Sequence, residues 1–516
     1  MRGIIPMMRR ASVSLVILAV VMVAWSLVAP SRLTLLAQTP VAADVPPRVP
    51  PIDPSNMPVA STAEEAAWLQ AEARVQADRI AIETFRPTYP FWQHIFSIPD
   101  GRIAFGSAKD GRLLVTFPST GDWNTQATWI DPTLRASFGD GPFPRRLDDR
   151  RDEAVRRLTP TTGPLVHNPT RGLFLEPHAR RYGRFLGEWS TIYERFGVPG
   201  NIGLAQAILE SGLDGTARSR AGALGFCQWL RPNWNRLNQL VPYEIEAYNQ
   251  TTQAPFCAAH LAILATMYGS YIPALSEHHS GGVNVGRVVI NGQRLGATDP
   301  REQYFVGASF ARELRAVSID RYRELFRTYG PRSFLYAEMV FGNTLTVDKI
   351  TAETPQARVY GIRTSRTIPI AEVARRSGLS TDEVQRYNPA LLKSVPARAH
   401  VYLPKHVPEL GADVSFWHRP PTRAYATVLN EFIRLDATVQ RWHDPAFEPT
   451  LRNFKRRFED TETEEGTIMA ATLEFLIDDL RTSRRAAILD DFRTSGKILD
   501  LFTRGTRELG LILRGS

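Results

Sequence analysis

Glu210-Ser211-Gly212-Leu213-Asp214-Gly215-Thr216-Ala217-Arg218-Ser219-Arg220-Ala221-Gly222-Ala223-Leu224-Gly225-Phe226-Cys227-Gln228 decides how this chain is read. One carboxylate closes an apolar run of Ile202, Leu204, Ala205, Ile208 and Leu209. The spacing of that run predicts a helix, with Asn201 as its cap. A loop of small residues follows. Then comes a turn framed by Gly222 and Gly225 that carries the amide of Gln228. A carboxylate at a helix C-terminus opposes the dipole. The plain alternative to a functional acid is a solvated helix-end charge. The neighbours favour function. Ser211, Ser219 and Gln228 offer hydrogen bonds, and Gly222 and Gly225 let backbone approach a ligand closely. Phe226 and Trp229 offer faces for stacking on sugar rings.

Upstream, Pro177 to Gly197 predicts a helix. Tyr182, Phe185, Trp189, Tyr193 and Phe196 recur at three- and four-residue steps, as on a packed face. Gly197-Val198-Pro199-Gly200 stops it. Thr62 to Phe85 is a second helical stretch, with Ser61 or Thr62 as cap. Between these helices the period changes. Trp92–Phe96, Gly101–Phe105 and Leu113–Phe117 predict short strands, broken by Pro99-Asp100-Gly101 and Lys109-Asp110-Gly111. Asp122 to Pro164 predicts loop with a short helix. His94, His167 and His178 stand alone and predict no site.

The chain starts with Arg2, Arg9 and Arg10 and then the apolar run Ala11 to Ala29. Such a start is an export signal, at a length where leader and membrane span converge. Val41-Ala42-Ala43 offers small residues for cleavage. Seven prolines between Pro40 and Pro58 predict an extended spacer. The expected setting is the periplasm or cell envelope, with the membrane as a partner through the N-terminal segment. The 516 residues carry a net charge of +9, mostly arginine. No nucleic-acid signature accompanies it. The two cysteines, Cys227 and Cys257, pair as a disulfide or lie buried as thiols; the sequence leaves both open. No cofactor is called for.

The pattern Glu-Ser-x5-Ala-x-Ser-x2-Gly-Ala-x-Gly-x2-Gln is filled by Glu210, Ser211, Ala217, Ser219, Gly222, Ala223, Gly225 and Gln228. It resembles the signature of the bacterial lytic transglycosylases, glycoside hydrolase family 23. The resemblance covers about residues 178 to 330 and implies a lysozyme-like helical fold. It implies that Glu210 is the single catalytic carboxyl. Glu210 would protonate the glycosidic oxygen between N-acetylmuramic acid and N-acetylglucosamine. It would then draw the proton from the muramic C6 hydroxyl, which closes on C1 as a 1,6-anhydro end. Ordinary glycosidases use two carboxylates; here the substrate's own groups replace the second. An acid of this kind needs a raised pKa, and Leu209, Leu213, Phe226 and Trp229 are expected to supply the apolar setting. Asp214, the nearest other carboxylate in sequence, reads as a loop residue.

The family's second motif, Ala-Tyr-Asn-x-Gly, corresponds to Glu277-His278-His279-Ser280-Gly281, with His278 in place of Tyr and His279 in place of Asn. The resemblance implies substrate binding by Ser211, Ser219, Gly225, Gln228, His278, His279 and Tyr304. The last stands in Glu302-Gln303-Tyr304-Phe305-Val306, similar to the family's Thr-x-x-Tyr-Val. Two histidines there predict a pH dependence near the ordinary histidine pKa. They lack carboxylates at ligand spacing, so no metal is expected.

Residues 358–404 have their own pattern. Ile370, Val373 and Ala374 form one helix face and Thr381 to Tyr387 another; Asn388-Pro389 follows, and Val401-Tyr402-Leu403-Pro404 closes as a strand. This resembles a LysM module, a β-α-α-β unit that binds N-acetylglucosamine chains. The order of parts is similar to the membrane-bound type D enzymes. Residues 415–516 predict helices, with apolar clusters at Leu429 to Leu435, Leu473 to Leu480 and Ile488 to Leu501. The expected fold is mainly α: leader or anchor 1–43, proline-rich linker 44–61, helix and hairpin region 62–170, lysozyme-like domain 171–345, LysM-like module 355–406 and helical region 415–516. The expected function is cleavage of peptidoglycan glycan strands by lytic transglycosylation. Two alternatives are a non-catalytic wall-binding scaffold and a true hydrolase of peptidoglycan or chitin.

Overall fold

The computed structural model describes residues 62–317, 319–326, 333–435 and 438–482. The expected leader 1–43, linker 44–61 and third C-terminal cluster Ile488 to Leu501 lie outside the described residues. The protein is mainly α. Among the described residues, no helix is long and apolar enough to cross a membrane.

Helix α1 (Ala63–Phe85) starts where its sequence predicts, with the Thr62 hydroxyl accepting the Glu65 N–H at 3.1 Å. The expected strand Trp92–Phe96 is helical instead. A 3-10 turn, Tyr89–Trp92, runs into α2 (Gln93–Ser97). Its side chains Phe91, Trp92, Ile95 and Phe96 are all buried, which a short apolar run achieves in either conformation. Strands β1 (Arg102–Ser107) and β2 (Leu113–Pro118) pair antiparallel, Ile103 opposite Phe117. After them come α3 (Trp123–Gln126), β3 (Thr128–Trp129), α4 (Thr133–Phe138) and α5 (Leu147–Thr162). Strand β4 (Leu165–Pro169) completes a four-stranded sheet in the order β3-β2-β1-β4. Phe105, Phe117, Trp123, Phe138 and Leu158 form its own core. Helix α5, 16 residues long, is longer than the short helix expected there. It buries little apolar surface, chiefly Ala154, Val155 and Leu158, so its period is faint in sequence.

The helix expected over Pro177–Gly197 is two helices, α6 (Gly172–Tyr182) and α7 (Leu186–Glu194), joined by a 3-10 turn at Gly183–Phe185. Tyr182, Phe185, Trp189, Tyr193 and Phe196 are all buried, a packed face. Helix α8 (Gly200–Ser211) carries Glu210. Pro199, not Asn201, stands at its N-cap; Asn201 lies inside the first turn. Gly203 lets α7 and α8 touch, since a Cβ there would sit 2.2 Å from the Tyr193 ring. A hairpin, β5 (Ala223–Leu224) with β6 (Trp229–Leu230), follows α8 and leads into α9 (Arg231–Leu240). Helix α10 (Gln250–Tyr268) is buried on almost every side, as an all-round apolar helix must be. Helix α11 (Tyr271–Ser280) packs against it, and α12 (Gly282–Arg294), α13 (Pro300–Val317), α14 (Ile319–Phe326) and α15 (Tyr336–Glu353) follow.

Next, β7 (Tyr360–Arg363), β8 (Ile368–Pro369), α16 (Ile370–Ser377), α17 (Thr381–Tyr387), β9 (Ser394–Val395) and β10 (His400–Leu403) give a β-α-α-β unit. Strands β7 and β10 pair antiparallel, and β11 (Ala412–Asp413) adds to the other edge of β7. Gly378 ends α16 in the left-handed region, and a Ser380–Glu383 capping box starts α17. Asn388 is buried and exchanges two hydrogen bonds with the Tyr402 backbone, each 2.7 Å. Helices α18 (Arg423–Ile433), α19 (Val439–His443), α20 (Glu448–Glu459) and α21 (Glu464–Thr482) end the described chain.

One continuous core runs from Ala67 of α1 to Ile477 of α21, with the β-α-α-β unit and the four-stranded sheet as satellites with cores of their own. Buried carboxylates pin its periphery. Asp78 of α1 accepts Ser270 Oγ at 2.7 Å, Tyr271 N at 2.6 Å and Arg301 Nε at 2.6 Å. Glu188 of α7 takes Arg358 at 2.9 Å, Trp417 Nε1 at 3.0 Å and His418. A buried charge is tolerated when its oxygens have donors, and each oxygen of both carboxylates has at least one, which ties distant segments to the centre.

Candidate active site

Glu210 sits one residue before the end of α8, where Gly212 turns the chain in the left-handed region at φ +61°. Its side chain is 15% exposed, so the carboxyl is mostly buried yet reachable. Burial pushes its pKa up to about 7, against a downward pull from Tyr336. The Tyr336 hydroxyl, from the first residue of α15, donates to Glu210 Oε1 at 2.5 Å. Gln206, one turn back on α8, reaches the same hydroxyl. His278 Nε2 lies 3.9 Å from Glu210 Oε1. His279 lies flat on the Tyr336 ring, centroids 4.6 Å apart and planes within 10°.

His278 is held at two points. Its Nε2 lies 2.9 Å from the Cys227 carbonyl, and Trp229 Nε1–H points at its Nδ1 across 3.4 Å. A neutral ring with its proton on Nε2 satisfies both contacts. Burial pushes the pKa of His278 and of His279 down to about 4. The pH dependence expected near the ordinary histidine value is therefore displaced. Both rings are neutral at neutral pH, and the group that titrates near 7 is the carboxyl.

The loop after α8 is tied to itself and to α10. Ser211 is 3% exposed, and its hydroxyl donates to Ala207 O at 3.1 Å and Phe226 O at 3.0 Å. Ser219 Oγ accepts Ala223 N at 3.0 Å. Gln228 Nε2 donates to Gly225 O at 2.8 Å and Ala217 O at 3.2 Å. Gly225, at φ +74°, is crowded: a Cβ would meet Gln253 Nε2 at 2.2 Å and Ala247 O at 2.5 Å. Gln253 of α10 accepts the Phe226 N–H at 2.6 Å. These residues, expected at the substrate, build the hairpin that walls Glu210. Their polar atoms are engaged inside the protein because a tight turn leaves backbone groups that need partners.

Three expectations change. Phe226 and Trp229 are 0% and 5% exposed and pack on Trp189 and Trp234, so neither offers a face to a sugar. Tyr304 is fully buried, takes the Ser276 hydroxyl at 2.7 Å and packs edge-on to Phe305, so it lines no open cleft. The tyrosine that does reach the acid is Tyr336, which sequence reasoning missed. The available signal was Ser333-Phe334-Leu335-Tyr336 at a helix start, a looser version of the pattern sought at 302–306. Asp214 turns into its own loop, accepting Thr216 N and Oγ1 at 2.8 Å each.

Cys227 and Cys257 form a disulfide, with Cα atoms 6.3 Å apart. It fastens the hairpin to α10 beside the carbonyl that holds His278. Among the described residues, no group of three or more His, Cys, Asp or Glu is arranged to hold a metal ion.

Comparison with known proteins returns no match: no protein-family model and no curated sequence aligns significantly with this chain. What the site can do rests on its own chemistry. A carboxyl that is half protonated near pH 7 is suited to give and then take one proton. A phenol on the same oxygen steadies the ionised form as the proton leaves.

Proposed function

We propose that the protein is an exported lytic transglycosylase that cleaves the β-1,4 bond between N-acetylmuramic acid and N-acetylglucosamine in peptidoglycan. The observation that carries the reading is Glu210: mostly buried, reachable, raised to about 7 and held by Tyr336. In this reading the main helical core is a lysozyme-like catalytic domain and the β-α-α-β unit a LysM-like glycan-binding module. Glu210 protonates the glycosidic oxygen. Its carboxylate then accepts the C6 hydroxyl proton as that oxygen closes on C1, leaving a 1,6-anhydro end. Tyr336 holds the carboxylate between the two transfers. The disulfide Cys227–Cys257 supports a setting outside the reducing cytosol, as does the basic and apolar start of the chain. The glycan strand is the partner, and the N-terminal segment attaches the enzyme to the membrane or is removed.

Purified sacculi treated with the protein should release muropeptides whose mass carries the anhydro end, and Glu210→Gln should release none. Reducing-end products would assign a hydrolase instead. Binding to sacculi without products from either protein would assign a scaffold.

A further inference from the structure

The C-terminal helices reach the catalytic centre from behind. Phe475 of α21 stacks on Trp229, centroids 6.1 Å apart and planes within 16°. Trp229 in turn points its Nε1–H at His278 Nδ1, and His278 Nε2 lies 3.9 Å from Glu210 Oε1. Trp234 and His260 complete an aromatic box around Trp229, at 4.9 and 5.0 Å. Arg236 Nε fixes α21 to α9 through Asp478 at 3.0 Å. The last described helix thus forms the far wall of the box that orients His278.

We propose that Phe475 is a positioning residue for the catalytic centre: by stacking on Trp229 it aims the indole N–H at His278 and keeps that ring in place beside Glu210. The proposal rests on the reading of Glu210 as the catalytic acid, and it gives the C-terminal helices a role there. An indole without its outer neighbour gains rotamer freedom, and an active-site group displaced by about 1 Å can lose about 100-fold in rate. Titratable groups face His278 from three sides: Glu210 of α8, His260 of α10 at a ring distance of 6.0 Å, and His279 of its own helix. From α21 the ring receives no charge through Phe475, and Asp478 is paired with Arg236.

The test is a histidine-labelled NMR titration of the full-length protein, wild type against Phe475→Ala, with His278 assigned by His278→Asn. The expected result is that His278 stays silent through the ordinary histidine range in wild type and titrates within it in Phe475→Ala. Phe475→Tyr should restore silence. With sacculi as substrate, Phe475→Ala should lower kcat about 10-fold with little change in KM. If Phe475→Ala does not fold, Trp229→Phe keeps the stack, removes the N–H and should give the same His278 titration. A folded Phe475→Ala, or Trp229→Phe, whose His278 titration matches wild type overturns the proposal. If the two proteins differ in His278 titration as expected and wild type makes no anhydro product, the transglycosylase reading falls and the positioning role stands.

Discussion

The two halves of the site are built in opposite ways. Glu210 and the hairpin that walls it come from one stretch, 210–228, whose hydrogen bonds are mostly made within it or to α10. The facing half is gathered from afar. Tyr336 lies 126 residues from the carboxyl it binds. His278 and His279 come from α11, and Phe475 from α21. A local half can be written as a spaced pattern, because each glycine or hydroxyl answers a neighbour's backbone. A gathered half depends on how helices pack, and any residue that points the right way can fill it.

The comparison breaks first at the acid. Glu210→Gln keeps an oxygen for the Tyr336 hydroxyl and removes the transferable proton. Turnover on sacculi should fall at least about 1000-fold, followed as soluble muropeptides; activity within 10-fold of wild type would end the acid assignment. The next effect is on the local half. Replacing Cys227 and Cys257 with serine opens a link spanning 30 residues. Loop-closure entropy sets the loss at about 3 to 4 kcal/mol, measured by urea unfolding of both proteins.

The gathered half is tested by Tyr336→Phe. Loss of that donor should slow turnover about 30-fold. The bond favours the ionised carboxyl, so its loss raises the pKa of Glu210 above about 7. The alkaline limb of kcat/KM should move to higher pH. A limb that stays in place would mean that the phenol does not act on the carboxyl. A last effect concerns stability. Burial raises Glu210 from 4.5 to about 7, so its contribution to folding is full below about 4.5 and is lost as pH rises through 7. Glu210→Gln removes that loss. Relative to wild type it should gain about 3 kcal/mol at pH 8 over its difference at pH 4, read by denaturant melts.

What the sequence conveyed follows the same division. The helix carrying Glu210, the turn at Gly222 and Gly225, the cap at Thr62 and the strand Val401–Leu403 were legible because each is set within a few residues. Trp92–Phe96 was misread as a strand. A short apolar run fits a strand or a helix equally, and Trp92 is drawn by the long-range bond to Glu338 at 3.0 Å. The direction of the expected binding residues was also hidden. Ser211 and Gln228 carry groups that suit a sugar, yet their first claim is to carbonyls of their own turn. Tyr336 left almost no trace, since a single tyrosine at a helix start has many uses.

The most direct measurement uses water labelled with oxygen-18. Sacculi are digested with the protein in that water and the released muropeptides weighed. If Glu210 serves as acid and then as base on the C6 hydroxyl, the products carry the anhydro mass, 18 Da below a reducing end by loss of one water, and no label at C1. Reducing ends carrying one oxygen-18 would show that water attacked C1, and would contradict the account at its centre.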